Sequence, residues 1–568
     1  MDHSTNLATK RQAESPLPGT AAGSTKRIAL SYEQDNKRVA LSIEQDNERG
    51  PSLNDLPEEL LEHIISQMSS WEARGLVRVS RKFRRLAEPH LYSHYIYIAN
   101  YLGDDNVNYD NEEKDWRSLH HLIRTLIERP DLAAHMHTVE TNHIMWKELG
   151  LLSEERMKIS EWLWTETALD QIDLDETFKT TLFSRLPPVE HESAAVALLL
   201  CLLPNVERLS MEASWFDTES LEGGDALTNL VKAVVAQTSQ VPLEGGLSDT
   251  ATTNSRRPLA KLRHVTITNF DSNMSEMSPN LVMALVGIPS VREFRCAWST
   301  DFQGGVVSPH ARTSNIEHAT FLWCRANMDD YYTFCKVCKA LKSLSLVFGS
   351  PGYNFETDNN LMTLRRALFL HTESLESLLI DISDKPRSAV LGSLKPLRHL
   401  KALSISGQLL TGYRPGLDGP DNSAALMDLL PTSLEVLTIN SSVKGDTALE
   451  KFLATLAYHG KEVLPNLRQV EMRPRKTFVR WYFHEVIYLH VSAELLDQLR
   501  PVFTGWGIRL LGPEGADEDD NFIGGGGDGN EFYSYYPRTK IMENPHQREY
   551  TRSAFPPFSQ AYPLSSKF

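Results

Sequence analysis

Cys335 and Cys338 form a C-x-x-C pair, with Cys324 upstream and His318 nearby, which are residue types and a spacing able to hold zinc. A closed zinc site needs a second such pair or an H-x-x-x-H close by, and neither occurs near these cysteines. The stretch "YYTFCKVCKALKSLSL" has the apolar spacing of a helix leading into a strand, so these thiols are expected to be small buried hydrophobes. A redox role lacks a thioredoxin-like context. "GGGGDG" at 524–529 is not followed by Lys-Ser/Thr or by a helix, so it has no means of cradling phosphate. HExxH, GxSxG and a kinase-like set are all missing. No cofactor, metal or catalytic residue is expected, and the chain is expected not to be an enzyme.

Two further groups could recognise a partner. Arg74, Arg78, Arg81, Lys82, Arg84 and Arg85 form a basic stripe suited to an acidic surface, with solvated helix charge as the plainer reading. Trp481, Tyr482 and Phe483, with Trp506, are either an aromatic contact patch or, as preferred, core packing near the end of the fold.

Composition sets the frame for these residues. The 568 residues call for several domains or a repeat array, and 41% hydrophobic with 23% charged residues is ordinary globular usage. A net charge of -16 disfavours broad binding to nucleic acid. Five cysteines do not resemble a disulfide framework. The N-terminus lacks a signal-peptide core, and the longest apolar run, "AAVALLLCLL" at 194–203, is only 10 residues. No membrane span is therefore expected, and the expected location is cytoplasm, nucleus or both. Lys10-Arg11 and Lys26-Arg27 could be a split import signal but are read as solvated tail charges.

Residues 1–50 are read as a disordered tail containing a tandem copy, "RIALSYEQDNK" then "RVALSIEQDNE", to which no function is attached. From Leu53 the character changes. Asn54 and Asp55 are capping types, Pro57 suits a first helical turn, and Glu58 with Glu59 suit the positive end of the helix dipole. Leu60, Leu61, Ile64, Ile65 and Met68 recur at helical spacing. A second helix is expected to carry Leu76, Val79, Phe83 and Leu86 and to end at Pro89. Some 40 residues make a marginal helical core, so docking against something is expected.

Further along, apolar residues at positions one, four and six recur in nine segments: "VERLSM" at 206, "LRHVTI" at 262, "VREFRC" at 291, "IEHATF" at 316, "LKSLSL" at 341, "LESLLI" at 375, "LKALSI" at 400, "LEVLTI" at 434 and "LRQVEM" at 467. "MHTVET" at 136 is an earlier copy weakened by Thr141. Positions four and six share one strand face. Helical patterns at 193–203, 280–288, 360–371, 423–430 and 448–460 precede the strands, and the 56-residue first interval is read as nearly two units. A last strand is expected near 507–511, followed by an acidic, Gly-rich tail.

"LPEELLEHIISQM" followed by "LVRVSRKFRRLAEPHLY" resembles the F-box, and the recurring segments resemble leucine-rich repeats. The Asp-Leu pair that usually opens the second F-box helix is here Glu72-Ala73, a smaller apolar contact, and the Asn or Cys that usually follows each repeat strand is generally missing. The fold class implied is α/β: a three-helix F-box, then an irregular solenoid with helices outside and parallel strands on a concave side, between disordered tails. The expected organisation is 1–50 tail, 51–100 F-box, 101–512 solenoid and 513–568 tail. The resemblance assigns adaptor binding to Leu56, Pro57, Glu59, Leu60, Ile64, Ile65, Leu76, Val79, Ser80, Phe83 and Leu86. It implies a Skp-family adaptor and, through it, a cullin as partners. The function it implies is the substrate-recognition subunit of an SCF-type ubiquitin ligase, holding a target protein on the repeats. The alternative is a protein-binding scaffold without ligase assembly.

Overall fold

A computed structural model of the chain describes residues 53–98, 119, 121–142, 172, 174, 176, 178–180, 192–212, 226–239, 257–268, 279–297, 311–322, 324, 326–348, 361–382, 391–411, 429–441, 447–474 and 493–512. Both expected tails, the tandem copy, the basic pairs, Trp481–Phe483 and most of the expected helix at 423–430 lie outside the described residues. The chain divides into two compact units, residues 1–87 and 88–568.

The first unit is built on short helices. After a 3-10 turn at Leu53–Asp55, α1 (Glu58–Ser66) starts directly behind Pro57, whose backbone, not a side chain, makes the cap. The acids of the first turn face the positive end of the helix dipole. α2 (Ser70–Leu76) opens on a capping box: the Glu72 amide donates to Ser69 Oγ at 3.4 Å, and the Ser69 amide donates to Glu72 Oε2 at 2.8 Å. α3 (Arg81–Leu91) opens behind Ser80, whose Oγ accepts from the Phe83 amide at 3.2 Å. The one helix expected over Leu76–Leu86 is thus broken at 77–80. Gly75 and the β-branched Val77 and Val79 are weak helix formers, and Ser80 offers the chain a fresh start. Pro89 lies inside the last turn, with the helix ending two residues later.

Leu61, Ile65, Phe83, Leu86 and Ala87 form the core of this unit, with Leu56, Met68, Leu76 and Val77 against it. Lys82 Nζ donates to the Leu56 carbonyl at 3.2 Å, and Arg85 pairs with Glu58, which joins the start of α1 to α3.

Among the described residues the second unit forms a single sheet of 12 parallel strands in sequence order. They are β1 (His94–Ile98), β2 (Thr138–Asn142), β3 (Arg208–Glu212), β4 (His264–Thr268), β5 (Glu293–Ala297), β6 (His318–Leu322), β7 (Ser343–Phe348), β8 (Ser377–Ile382), β9 (Ala402–Ser406), β10 (Val436–Ser441), β11 (Gln469–Pro474) and β12 (Arg509–Leu511). The helices between them include, among the described residues, α4 (Pro130–Ala133), α5 (Glu192–Leu202), α6 (Ala226–Ser239), α7 (Pro279–Val286), α8 (Met328–Val337), α9 (Leu361–Phe369), α10 (Gly407–Thr411), α11 (Thr447–Val463) and α12 (Ala493–Gly505).

All nine recurring segments, and the earlier copy at 136, become strands beginning at position three, and positions one, four and six line the core. One inward row runs Val265, Phe294, Ala319, Leu344, Leu378, Leu403, Leu437, Val470 across neighbouring strands in register. β3 pairs directly with β4, so the 56-residue interval is one enlarged repeat and not two. The apolar run at 194–203 is packed in this core. Among the described residues no helix is long and apolar enough to cross a membrane.

At six of the nine segments the bend that joins the repeats is held from the residue just before the segment. Asn205, Asn315 and Asn466 donate to the carbonyls of Ala134, Pro289 and Thr432 at 2.6, 2.7 and 3.0 Å. Ser290, Ser374 and Ser433 donate to those of Leu259, Leu341 and Leu400 at 3.1, 2.9 and 2.8 Å. The polar residue expected after the strand in a regular repeat is thus replaced by one before it. It satisfies a carbonyl of the preceding repeat and ties the two together.

Candidate functional site

The eleven residues expected to face an adaptor separate into two sets. Ile65, Phe83 and Leu86 are 2, 4 and 8% exposed and hold the unit together. Leu56 and Leu76 are half-buried against that core, and Ser80 caps α3. Pro57, Glu59, Leu60, Ile64 and Val79 are on the surface. The exposed large hydrophobics among the described residues are Leu53 (58%), Leu60 (50%), Ile64 (42%), Val79 (64%), Met362, Tyr458 and Trp506, and the first four belong to the helical unit. Leu60 and Ile64, at i and i+4, share one side of α1 while Leu61 and Ile65 fill the core from the other.

Glu72 and Ala73 take different parts from those expected. Glu72 is spent on the capping box, and this hydrogen bonding from Ser69 lowers its carboxyl pKa. Ala73 is buried, so a leucine there would enter the core and not enlarge the contact surface. The basic stripe also divides. Lys82 and Arg84 bond the carbonyls of Leu56 and Val77, and Arg85 pairs with Glu58, while Arg74, Arg78 and Arg81 make no ion pair or hydrogen bond among the described residues.

On the sheet, the solvent-side rows are charged near β4 and β5 and again at β11. His264 Nδ1 lies 2.9 Å from Glu293 Oε2, and Arg295 Nε donates to the same carboxylate at 2.7 Å. The hydrogen bond from His264, helped by the Arg295 charge, holds the Glu293 carboxyl down at about 2. Between these clusters the same two rows run His318, Ser343, Ser377, Ala402, Val436 and Thr320, Ser345, Leu379, Ser404, Thr438, so hydroxyls alternate with apolar side chains across β6–β10. Beside these rows, at the strand entrances, charges alternate between repeats: Lys342 Nζ meets Glu317 at 2.5 Å, Lys401 Nζ meets Glu376 at 2.8 Å and Arg468 meets Glu435 at 3.4 Å. Each such exposed pair is worth little alone.

Cys335 and Cys338 are buried at the end of α8, beside a cluster in which the Phe321 and Phe334 rings meet edge-on at 4.9 Å. Burial pushes the Cys335 thiol up to about 12 and the Cys338 thiol well above its ordinary value, opposite to what a metal ligand or nucleophile needs. Trp506 is 40% exposed, so the core packing preferred for it is not what the fold does with it.

Two features carried signals that the sequence reading passed over. β1 is "HYIYI", and Tyr92, Tyr95 and Tyr97 occupy positions one, four and six of a repeat in tyrosine form. Tyr92 and Tyr95 pack on the core of the sheet unit, although the segment fell within the expected F-box range of 51–100. The Asn or Ser before six of the nine segments was the other signal.

A small helical unit with an unpartnered apolar side, and a helix-backed sheet of parallel repeat strands, define a protein-interaction scaffold. Comparison with known families makes this specific. The model of the leucine-rich repeat domain matches residues 121–480, and that of the F-box domain matches residues 53–90. The chain belongs to the leucine-rich repeat family and carries an F-box domain at its N-terminal side. Both are interaction domains that typically lack catalytic chemistry. No curated protein matches the chain. A solved structure of a protein from Bacteroides fragilis is similar at 12% identity over 70% of this chain and 83% of that one, with a TM-score of 0.29.

Proposed function

We propose that this chain is the substrate-recognition subunit of an SCF-type cullin-RING ubiquitin ligase. Its F-box binds a Skp-family adaptor, and through it a cullin, while the strand face of the repeats holds a target protein. The observation that carries the docking half is the concentration of exposed Leu53, Leu60, Ile64 and Val79 on a unit with a five-residue buried core. Apolar side chains left in water on so small a unit favour a partner that covers them. In this reading Pro57, Glu59, Leu60, Ile64 and Val79 touch the adaptor. Leu56, Ile65, Leu76, Ser80, Phe83 and Leu86 shape the surface from beneath.

The strand face suits a target because its central outward rows mix hydroxyls with apolar side chains such as Leu379 and Val436 and are flanked by charge, so a chain laid across it finds hydrogen bonds and apolar contact between ionic anchors. The protein's contribution to catalysis is proximity: tethering the target near a ubiquitin carrier raises its effective concentration. No covalent step is assigned to the chain.

Affinity purification of the intact protein beside a Leu60→Ala, Ile64→Ala, Val79→Ala variant tests the reading. Adaptor and cullin should both accompany the wild type and both be lost from the variant. Adaptor without cullin would point to a scaffold outside the ligase, and equal adaptor recovery from both proteins would reject the assigned surface.

A further inference from the structure

The charges at the strand entrances occupy position two of their segments, and backbone bonds hold neighbours in line. The Arg263 amide donates to the Glu207 carbonyl at 2.8 Å, the Arg292 amide to the Arg263 carbonyl at 2.9 Å, and the Glu317 amide to the Arg292 carbonyl at 2.8 Å. From Arg292 onward the sign alternates at every step through Glu317, Lys342, Glu376, Lys401, Glu435 and Arg468. On the other side Arg263 follows Glu207, and Glu207 follows His137. Only at Arg263 and Arg292 do two like charges stand at adjacent places in this line, about 4.8 Å apart at the backbone.

The acids around this step are already engaged. Glu207 leans toward His137, at 3.7 Å, and makes no ion pair with Arg263. Glu293 holds His264 and Arg295, while Glu317 holds Lys342 and lies 3.9 Å from Arg292. Arg263 and its neighbour Arg208 are exposed and make no ion pair or hydrogen bond among the described residues. Arg292 is aimed by backbone: its Nη1 donates to the carbonyls of Pro289 and Asn315 at 3.2 and 3.1 Å, which leaves Nη2 without a bond among the described residues. Lys261 adds a charge met by the neutral Asn205, at 2.7 Å. The entrance ends of β3–β5 thus set Arg208, Lys261, Arg263, Arg292 and Arg295 against Glu207 and Glu293, in a chain whose net charge is -16.

We propose that the step between Arg263 and Arg292 seats a carboxylate of the target, so that the segment laid on the strand face is acidic at this end. This rests on the reading of that face as a protein-binding surface. A carboxylate placed there restores the alternation and meets two guanidinium forks, one of them fixed in advance. Arg208, one repeat away, takes a second. The three arginines belong to successive repeats and do not converge on a point, which suits a run of aspartate or glutamate better than a single phosphoryl group.

The test measures binding of labelled peptides of about 12 residues to the full chain by fluorescence anisotropy. One peptide carries Glu-Asp-Glu ahead of a Thr-Val-Ser run, its twin carries Gln-Asn-Gln, and a third has a single phosphoserine in place of the acids. At 50 mM salt the acidic peptide should bind about tenfold tighter than its twin, and the preference should largely vanish at 500 mM. Arg263→Gln and Arg208→Gln should each weaken it about two- to fivefold and together abolish the preference, whereas Arg468→Gln, which removes a cation already paired with Glu435, should leave it unchanged. Urea unfolding of the peptide-free Arg263→Gln chain should show stability equal to or above that of the wild type, because a like-charge neighbour is gone. Equal binding of the acidic and neutral peptides, or none, would overturn the site, as would an equal loss from Arg468→Gln or a preference for phosphoserine. A destabilised Arg263→Gln would overturn it too, by showing that Arg263 serves the fold. Failure of the site with adaptor and cullin still captured leaves the ligase reading intact, and acidic-peptide binding without adaptor capture removes the ligase reading and keeps the site.

Discussion

His371 offers a test of how the repeats are joined. It is buried, its Nδ1 accepts from the Leu341 amide at 3.3 Å, and its Nε2 donates to the Cys335 carbonyl at 2.9 Å, so one neutral ring ties the end of α8 to the entrance of β7. Burial pulls its pKa from the ordinary 6.5 down to about 4. His371→Leu leaves two backbone groups unsatisfied, at about 1–3 kcal/mol each, so the variant should lose roughly 2–6 kcal/mol at pH 7.5. Acid acts through residue 371 in the wild type alone. As pH falls below about 6.5 the unfolded chain takes up a proton that the folded chain refuses until about 4. Wild-type stability therefore drops by about 1.4 kcal/mol per pH unit, near 3 kcal/mol in all. The leucine variant lacks this linkage, and other titrating groups cancel between the two proteins. Urea unfolding at pH 7.5, 6.5, 5.5 and 4.5 should show the gap between the proteins closing toward acid, with equal denaturant slopes. A gap that stays constant over that range would refute a neutral, bridging His371.

The two sets of F-box residues should respond differently. Phe83→Ala should cost about 3–5 kcal/mol and unfold the helical unit, whereas Val79→Ala with Ile64→Ala should leave its circular dichroism unchanged while adaptor capture falls. Ala73→Leu overfills a buried site and should destabilise the unit by about 1–3 kcal/mol in thermal melts, without tightening adaptor binding. Asn327 Oδ1 accepts from the amides of Asp329 and Asp330 at 2.9 and 3.0 Å, so Asn327→Ala should lower stability by about 1 kcal/mol in chemical denaturation. Cys335 and Cys338 should resist a thiol reagent in the native protein and react at once in denaturant, and metal analysis should find less than about 0.1 equivalents of zinc.

The repeat strands were legible because each buried face writes itself as apolar residues at positions one, four and six, a pattern that backbone geometry imposes wherever one side of a strand is covered. The start of α1 was legible at Pro57 for the same kind of local reason. Three things needed the tertiary structure. The 56-residue interval became one repeat because β3 and β4 pair, and pairing is a contact between distant residues that no local period reveals. The tyrosines of β1 became repeat residues only against β2, since amphipathic side chains at a sheet edge do not stand out as a core. Most of all, the periodicity of the F-box helices marked apolar residues without saying which would be buried. Leu61 and Ile65 differ from Leu60 and Ile64 by a single step along α1, and only the packing of α3 against one side of it decided which pair holds the unit together and which is left to meet a partner.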